Sequence, residues 1–114
     1  MKKINITIAG ALGRMGKILI KKISKNKNLK LFSLTDLRSG KIINGIKIQK
    51  NNLEAFKKTD IIIDFSKPKA SLEILNYAKK FKKKVVIGTT GFTKQQNNLI
   101  KNFINKAKKF WSGN

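Results

Sequence analysis

The sequence predicts an α/β fold in which a doubly wound parallel sheet carries helices on both faces. Strand-like and helix-like segments alternate along the 114 residues, and the connections between them are short. Two of the strand-like segments are uninterrupted apolar runs, as expected for parallel strands covered on both faces. A chain of this length can bury one core, so one domain over 1–114 is the simplest organisation.

The first predicted unit is a strand, a glycine turn and a helix. Residues 4–9 form an apolar alternating strand, and glycines follow at positions 10, 13 and 16 in the pattern G-x-x-G-x-x-G. A helix is predicted over 15–25 from apolar residues at helical spacing. Its apolar face is predicted to contain Ile18, Leu19 and Ile23.

The middle of the chain predicts a strand over 29–35, a short strand or hairpin over 42–48 and a short helix over 52–58. The Asn44-Gly45 dipeptide favours the hairpin turn because both residues tolerate a positive φ. The apolar run that begins at Ile61 then predicts a buried strand.

The last third predicts helix, strand and helix. Ser66 is predicted to cap a helix that has Pro68 in its first turn. The buried stripe of this helix is predicted from Leu72, Leu75 and Ala78. A buried strand over 85–88 follows, then a helix from Thr93 to Ala107 that opens with a Thr93–Gln96 capping box, and Phe110 and Trp111 begin one more strand.

Composition excludes several kinds of chemistry. The chain has no Cys and no His, so disulfides, His bases, Cys nucleophiles and Cys or His metal sites are ruled out. Asn5 and Thr7 interrupt the N-terminal apolar run, which argues against a signal peptide and for a cytoplasmic protein without membrane association.

The formal net charge of +22 raises the question of nucleic-acid binding. Of the 27 basic residues, 25 are Lys, whereas specific phosphate and base recognition draws heavily on Arg. Lys, Ile and Asn make up 54 of 114 residues and share A/T-rich codons, so nucleotide bias at surface positions is the simpler explanation. Nucleic-acid binding is therefore the less favoured alternative.

Polar turns follow four of the predicted strands. They are the glycine turn, Thr35-Asp36, Asp64-Phe65-Ser66 and the segment 88–92, which reads G-T-T-G-F. Because ligands of doubly wound sheets gather at the carboxyl ends of the strands, we expect these turns to meet in one crevice. The glycine turn before a helix N-terminus predicts a diphosphate site, and a merely tight turn is the alternative.

Single residues at these turns have two interpretations each. Asp36, 20 residues beyond Gly16, is placed to bind an adenosine ribose, or it is an ordinary loop Asp. Arg38 could stack on adenine, meet a 2′-phosphate, or be solvated. Asp64 and Ser66 could serve only as caps, and the G-T-T-G segment could be a plain turn.

Four motifs together resemble one family. They are A-G-A-L-G-R-M-G at 9–16, I-D-F-S-K-P at 63–68, V-I-G-T-T-G-F at 86–92 and S-G-N at 112–114. In this order and spacing the chain resembles the N-terminal, nucleotide-binding part of dihydrodipicolinate reductase, also called 4-hydroxy-tetrahydrodipicolinate reductase, of bacterial lysine and diaminopimelate biosynthesis. The likeness covers essentially all 114 residues.

The resemblance implies a Rossmann-like domain that binds NADH or NADPH, in an enzyme that reduces dihydrodipicolinate to tetrahydrodipicolinate and is a homotetramer in the family. No catalytic or metal-binding residue is implied within this chain, and Thr90 is the one candidate for a substrate contact. The candidate cofactor-binding residues are Gly10, Ala11, Leu12, Gly13, Arg14, Met15, Asp36, Arg38, Phe65, Gly88, Thr89, Thr90, Ser112, Gly113 and Asn114.

The chain also departs from the family. Members continue into a second domain with a His-His-x-x-Lys segment and a Ser-Gly-Thr stretch that bind the dicarboxylate substrate, whereas this chain stops at Asn114 and has no His. The resemblance therefore implies that the C-terminal substrate domain is missing and that the isolated chain lacks turnover. A nucleotide-binding module without turnover is the alternative. Leu37 separates Asp36 from Arg38, where the family often has a basic residue directly after the acid, so NADPH use stays open.

Overall fold

The computed structural model describes residues 3–100. Their helices and strands follow one another as β1 Ile4–Ala9, α1 Arg14–Ser24, β2 Leu29–Thr35, β3 Ile42–Ile43, β4 Ile46–Lys47, α2 Leu53–Lys57, β5 Ile61–Asp64, α3 Pro68–Phe81 and β6 Lys84–Ile87. Residues 94–100 are helical as well. The predicted end of the last helix, the strand at Phe110 and Trp111, and the candidate site residues Ser112, Gly113 and Asn114 lie outside the described residues.

Four strands form a parallel sheet in the order β2-β1-β5-β6. Each face of the sheet carries its own apolar cluster. The cluster under α1 consists of Ile6, Ile8, Ala11, Ile20, Ile23, Leu34 and Ile48. The cluster under α2 and α3 consists of Ala9, Ala55, Phe56, Ile62, Ile74 and Ala78. Because successive residues of a strand point to opposite faces, β5 contributes side chains to both clusters. The sheet therefore carries helices on both faces, and the predicted doubly wound α/β fold is confirmed.

A β-bulge in β2 puts Leu31 and Leu34 on the same face of the sheet. Ile6 pairs with Leu31 but Thr7 pairs with Ser33, which leaves Phe32 as an extra residue. Without the bulge, Leu31 and Leu34 would point to opposite faces of the sheet, since their spacing is odd. With it, both pack on the cluster under α1.

Helix α2 is short and is held by polar contacts. Asn52 caps it by accepting hydrogen bonds from Glu54 N at 2.9 Å and Ala55 N at 3.2 Å. On the sheet, the buried hydroxyls of Thr7 and Ser33 lie 2.8 Å apart and within 3.2 and 2.7 Å, respectively, of the carbonyl oxygen of Ala55, so they share their two protons among these contacts. These bonds satisfy the polar groups that the sheet buries beneath the helix.

Two predicted turns are confirmed in detail. Asn44 and Gly45 have φ values of 53° and 77°, and they connect β3 to β4. Thr93 and Gln96 form the reciprocal capping box, with Gln96 N donating to Thr93 Oγ1 at 3.1 Å and Thr93 N donating to Gln96 Oε1 at 2.9 Å.

Two predictions about buried faces are wrong. Ile18 was expected on the buried face of α1, but it is 49% exposed and Ile20 is buried instead. The face that meets the sheet runs through Gly16, Ile20 and Ile23, at the i, i+4, i+7 spacing of a helix stripe.

The second wrong prediction concerns β6, which was expected to be buried on both sides. In the described residues β6 is an edge strand whose exposure alternates along its length, and Val86 is 56% exposed. An apolar run does not distinguish a central strand from an edge strand, since that depends on which elements cover it.

Within residues 3–100, no helix is both long and apolar enough to cross a lipid bilayer.

Candidate functional site

A cleft of about 600 Å³ opens where β1, β2 and β5 end. Its walls come from the glycine turn, the loop after β2, the loop before α2, and the turn that leads into α3. The described residues that line it are Gly10, Gly13, Thr35, Asp36, Leu37, Arg38, Lys50, Asn51, Phe65, Ser66, Lys67, Ala70 and Glu73. The lining carries three cationic and two anionic side chains, so the cleft suits a ligand that carries negative charge.

The glycine turn is bound to the end of β2. Gly10 N and Ala11 N both donate to the carbonyl oxygen of Thr35, at 2.9 and 3.1 Å, and Leu12 N donates to Asp36 Oδ2 at 3.0 Å. Gly13 N turns back to Gly10 O at 3.1 Å. Every backbone N–H from Gly10 to Gly13 therefore already donates within the protein. Free N–H groups for the predicted diphosphate site must come from residues after Gly13.

The first turn of α1 supplies the amides that remain. The first hydrogen bond of the helix runs from Lys17 N to Gly13 O, so the amides of Arg14, Met15 and Gly16 precede it. Among the described residues, no side chain caps this turn. The N-terminal end of α1 thus presents free donors and the positive end of the helix dipole, the arrangement that binds phosphate groups.

The three glycines of the turn differ in what requires them. Gly10 has a φ of +80°, and a Cβ there would collide with the carbonyl of Phe65. A Cβ at Gly16 would collide with Gly10 O. Gly13 has an ordinary φ of −76°, and a Cβ there would meet only Gly10 O, at 3.4 Å. Gly13 lines the cleft, so the open space beside it fits a group that approaches the backbone closely.

Asp36 is turned into the protein. Its Oδ2 accepts from Leu12 N, and its Oδ1 accepts from Arg38 N at 3.0 Å and Arg38 Nε at 3.2 Å. Its side chain is 7% exposed, whereas that of Arg38 is 69% exposed. Burial raises the pKa of Asp36, but the backbone bonds from Arg38 and Leu12, with the Arg38 side chain, outweigh it, so the pKa of this carboxyl lies below its ordinary value. Asp36 is therefore a carboxylate at neutral pH.

Phe65 connects the cleft to the loop after β6. Phe65 lines the cleft, and its ring lies against Gly88, where a Cβ would collide with it. The motif glycine at 88 thus has a packing reason, since only a residue without Cβ leaves room for this ring.

The turn after β5 is not arranged as predicted. Ser66 was expected to cap α3, but the N-cap residue is Lys67, and its side chain makes no capping bond. Ser66 N and Ser66 Oγ instead donate to Asp64 Oδ1, at 2.9 and 2.5 Å. Pro68 occupies the first turn of α3, as predicted.

The cleft gathers some of the candidate residues and not others. Gly10, Gly13, Asp36, Arg38 and Phe65 line it. The other described candidates lie outside its lining: Ala11, Leu12, Arg14, Met15, Gly88, Thr89 and Thr90. Ala11 is fully buried and Leu12 packs against the cluster under α1, and the amide of each already donates to the end of β2.

Sequence reasoning missed the contribution of the loop before α2. Lys50 and Asn51 line the cleft because Gln49 pairs with Thr35 beyond the end of β4. No local sequence pattern predicts that pairing. In contrast, Lys67, Ala70 and Glu73 could have been found, since they occupy the turn into α3 and its first helical turns, directly after the Asp64-Phe65-Ser66 turn.

The arrangement fits binding of a dinucleotide. Two buried oxygens at the strand ends, Thr35 Oγ1 and Asp64 Oδ2, have no hydrogen-bond partner among the described residues. Unpaired buried polar atoms cost stability and are concentrated at functional sites. Residues 3–100 bring no three His, Cys, Asp or Glu side chains together where they could hold a metal ion.

The family model described as "Dihydrodipicolinate reductase, N-terminus" matches residues 4–114. The 4-hydroxy-tetrahydrodipicolinate reductase of Pelagibacter ubique (strain HTCC1062) is 55% identical over 104 residues, covering 90% of this chain and 40% of that protein. The enzyme of the same name from Buchnera aphidicola subsp. Cinara cedri is 44% identical over 125 residues, covering 98% of this chain and 46% of that protein. The chain thus spans less than half the length of these relatives.

Solved structures support the same fold. Dipicolinate-bound dihydrodipicolinate reductase from Paenisporosarcina sp. TG-14 superposes with a TM-score of 0.73 at 24% identity, over 93% of this chain and 44% of that one. A D-galactose-1-dehydrogenase from Rhizobium etli gives a TM-score of 0.71 at 22% identity, over 94% of this chain and 35% of that one. The fold is therefore shared with dehydrogenases of other names, and the family follows from the sequence matches: the chain belongs to the dihydrodipicolinate reductase family and corresponds to its N-terminal domain.

Proposed function

We propose that this chain is the cofactor-binding part of an NADH- or NADPH-dependent 4-hydroxy-tetrahydrodipicolinate reductase. One observation carries the proposal. The uncapped first turn of α1 lies beside Gly13 at the strand-end cleft, and neither packing nor backbone conformation of the described residues explains that glycine. A dinucleotide diphosphate, which needs both free amides and a close approach to the backbone, supplies the explanation.

In this proposal the amides of Arg14 and Met15 bind the diphosphate. Asp36 orients the adenosine ribose at the end of β2, where its carboxylate is charged and fixed by Leu12 N. Arg38 lies beside it with most of its side chain in solvent, available to adenine or to a 2′-phosphate. Phe65 and the loop from Gly88 to Thr90 form the nicotinamide end.

When bound, the nicotinamide cofactor supplies the hydride for reduction of the cyclic dicarboxylate substrate. The residues of this chain contribute binding and orientation, which hold the cofactor in one position relative to the substrate. Thr90, which is exposed, is the candidate among them for a substrate contact. We assign the remaining substrate contacts and the proton donor to residues beyond this chain, and we place the protein in the cytoplasm.

Fluorescence titration with NADH and with NADPH tests the cofactor assignment. We expect saturable binding of at least one of them to the 114-residue chain, and no turnover of dihydrodipicolinate by the chain alone. Absence of saturable binding of both would leave the nucleotide-binding assignment without support. Turnover by the chain alone would contradict the division of roles, because it would place the whole substrate site here.

A further inference from the structure

Ser71 is a polar residue on the buried face of α3. It is fully buried in the same helix stripe as Ile74, Leu75 and Ala78. A hydroxyl in such a position is costly unless it has a partner. Its Oγ donates to Thr89 Oγ1 at 2.9 Å and lies 3.5 Å from Ser66 Oγ.

Both neighbours of Ser71 are tied to Asp64, the last residue of β5. From the turn after β5, Ser66 Oγ donates to the Asp64 carboxylate at 2.5 Å. From the loop after β6, Gly88 N donates to the Asp64 carbonyl oxygen at 2.7 Å, and Thr89 Oγ1 donates to the same oxygen at 3.4 Å. Ser71 thus lies between two loops that converge on one residue.

The Thr89 hydroxyl makes its hydrogen bonds within the protein. It accepts from Ser71 and donates to the backbone of Asp64, so it holds its loop in place rather than facing a ligand. Since its own bond to Asp64 is long, the bond from Ser71 is the shorter of its two attachments. At the start of the same loop, the ring of Phe65 lies against Gly88.

We propose that Ser71 is a positioning residue for the nicotinamide end of the cofactor. It fixes the loop from Gly88 to Thr90 relative to the turn that carries Phe65, and it does so without touching the cofactor. The inference rests on the proposed function, because it takes this loop as the nicotinamide end. Its consequence is selective: the nicotinamide half of the dinucleotide depends on Ser71, and the ADP-ribose half, held by the glycine turn and Asp36, does not.

Binding of NADH and of ADP-ribose by the Ser71→Ala variant separates the two halves. We expect NADH affinity to fall by about three- to tenfold, the range for loss of one hydrogen bond, and ADP-ribose affinity to stay at the wild-type value. ADP-ribose binding also shows that the variant is folded. Ser71→Thr keeps the hydroxyl and should keep the wild-type ratio of the two affinities.

Ser24→Ala is the matched control. It also removes a hydrogen-bonded helix hydroxyl, but at the end of α1 away from the cleft: Ser24 Oγ donates to Ile20 O at 2.6 Å and accepts from Asn44 Nδ2 at 2.8 Å. It should change neither affinity. An unchanged ratio of NADH to ADP-ribose affinity in Ser71→Ala would overturn the inference while leaving the cofactor assignment intact. If the wild-type chain binds neither ligand, the cofactor assignment itself fails, and the inference falls with it.

Discussion

At the scale of single residues, the three glycines of the first turn look equivalent in sequence but do different work. Gly10 and Gly16 are required by the fold, since a side chain at either would collide with the backbone. A Cβ at Gly13 would meet only Gly10 O, at 3.4 Å, without a collision. A substitution at Gly13 therefore separates ligand binding from folding.

Gly13→Val should keep the chain folded and weaken NADH binding by roughly tenfold or more, the scale of one or two lost charged hydrogen bonds. Gly13→Ser makes the contrast sharper. Serine is a better N-cap than glycine, so its hydroxyl should stabilise α1 by roughly a few tenths of a kcal/mol. The same hydroxyl would accept hydrogen bonds from the amides that a diphosphate needs. Urea unfolding and NADH titration of the same samples measure both effects, and unchanged affinity in both variants would contradict the diphosphate assignment.

Asp36 makes stability depend on pH. Its pKa is lowered in the folded protein, so its stabilising contribution is fully present above the unfolded-state pKa of about 4 and is lost as the pH falls through the lower folded-state pKa. Asp36→Asn should remove this contribution. We expect the free energy of unfolding, measured by urea titration from neutral pH to about pH 2.5, to fall less steeply below pH 4 in the variant. Parallel curves for the two proteins would show that this carboxylate is not responsible.

At the scale of elements, α2 has only five residues and depends on contacts outside its own turns. Isolated helices of this length are unstable, so its N-cap and its packing decide whether it forms. Because the loop before α2 carries Lys50 and Asn51 into the cleft wall, the stability of this short helix bears on the site.

Asn52→Ala should destabilise the chain by roughly 1 kcal/mol, the usual effect of losing an Asn cap. The variant loses the bonds that Asn52 Oδ1 accepts from Glu54 N and Ala55 N, and also those that Asn52 Nδ2 donates to Gln49 Oε1 and Lys50 O. Asn76→Ala, at an exposed position of α3, is the matched control and should change stability little. Chemical denaturation compares the two, and equal midpoints would mean that the cap contributes nothing.

At the scale of the whole molecule, the formal charge of +22 acts on any anion and not only on a cofactor. The cleft adds shape to this general attraction, with Arg38, Lys50 and Lys67 among its lining. Salt concentration separates the two contributions. The logarithm of the binding constant falls with the logarithm of the salt concentration, and the slope is proportional to the number of phosphates that the protein neutralises.

We expect duplex DNA to bind weakly at low salt and to lose affinity by about 1,000-fold or more between about 50 and 200 mM salt, if six or more phosphates are contacted. NADH, with two phosphates in its bridge, should lose roughly tenfold at most over the same range. Fluorescence titrations at matched salt concentrations make the comparison. Tight DNA binding that survives at the higher salt, together with no saturable NADH signal, would favour the nucleic-acid alternative.

The sequence by itself determined the alternation of strands and helices, the hairpin at Asn44-Gly45 and the capping box at Thr93, because these depend on local spacing and turn chemistry. Its motifs also identified the family. The tertiary structure alone decided that Ser66 bonds Asp64 instead of capping α3, that Ile20 replaces Ile18 on the buried face, and that β6 is an edge strand in the described residues. It also decided which amides of the glycine turn stay free and that Lys50 reaches the cleft. The Ser66–Asp64 bond is local, but it replaces a cap that the sequence pattern favoured equally well. The buried face of α1, the edge position of β6, the bonds from the glycine turn to the end of β2 and the place of Lys50 depend on contacts between segments far apart in the chain, which no local pattern encodes.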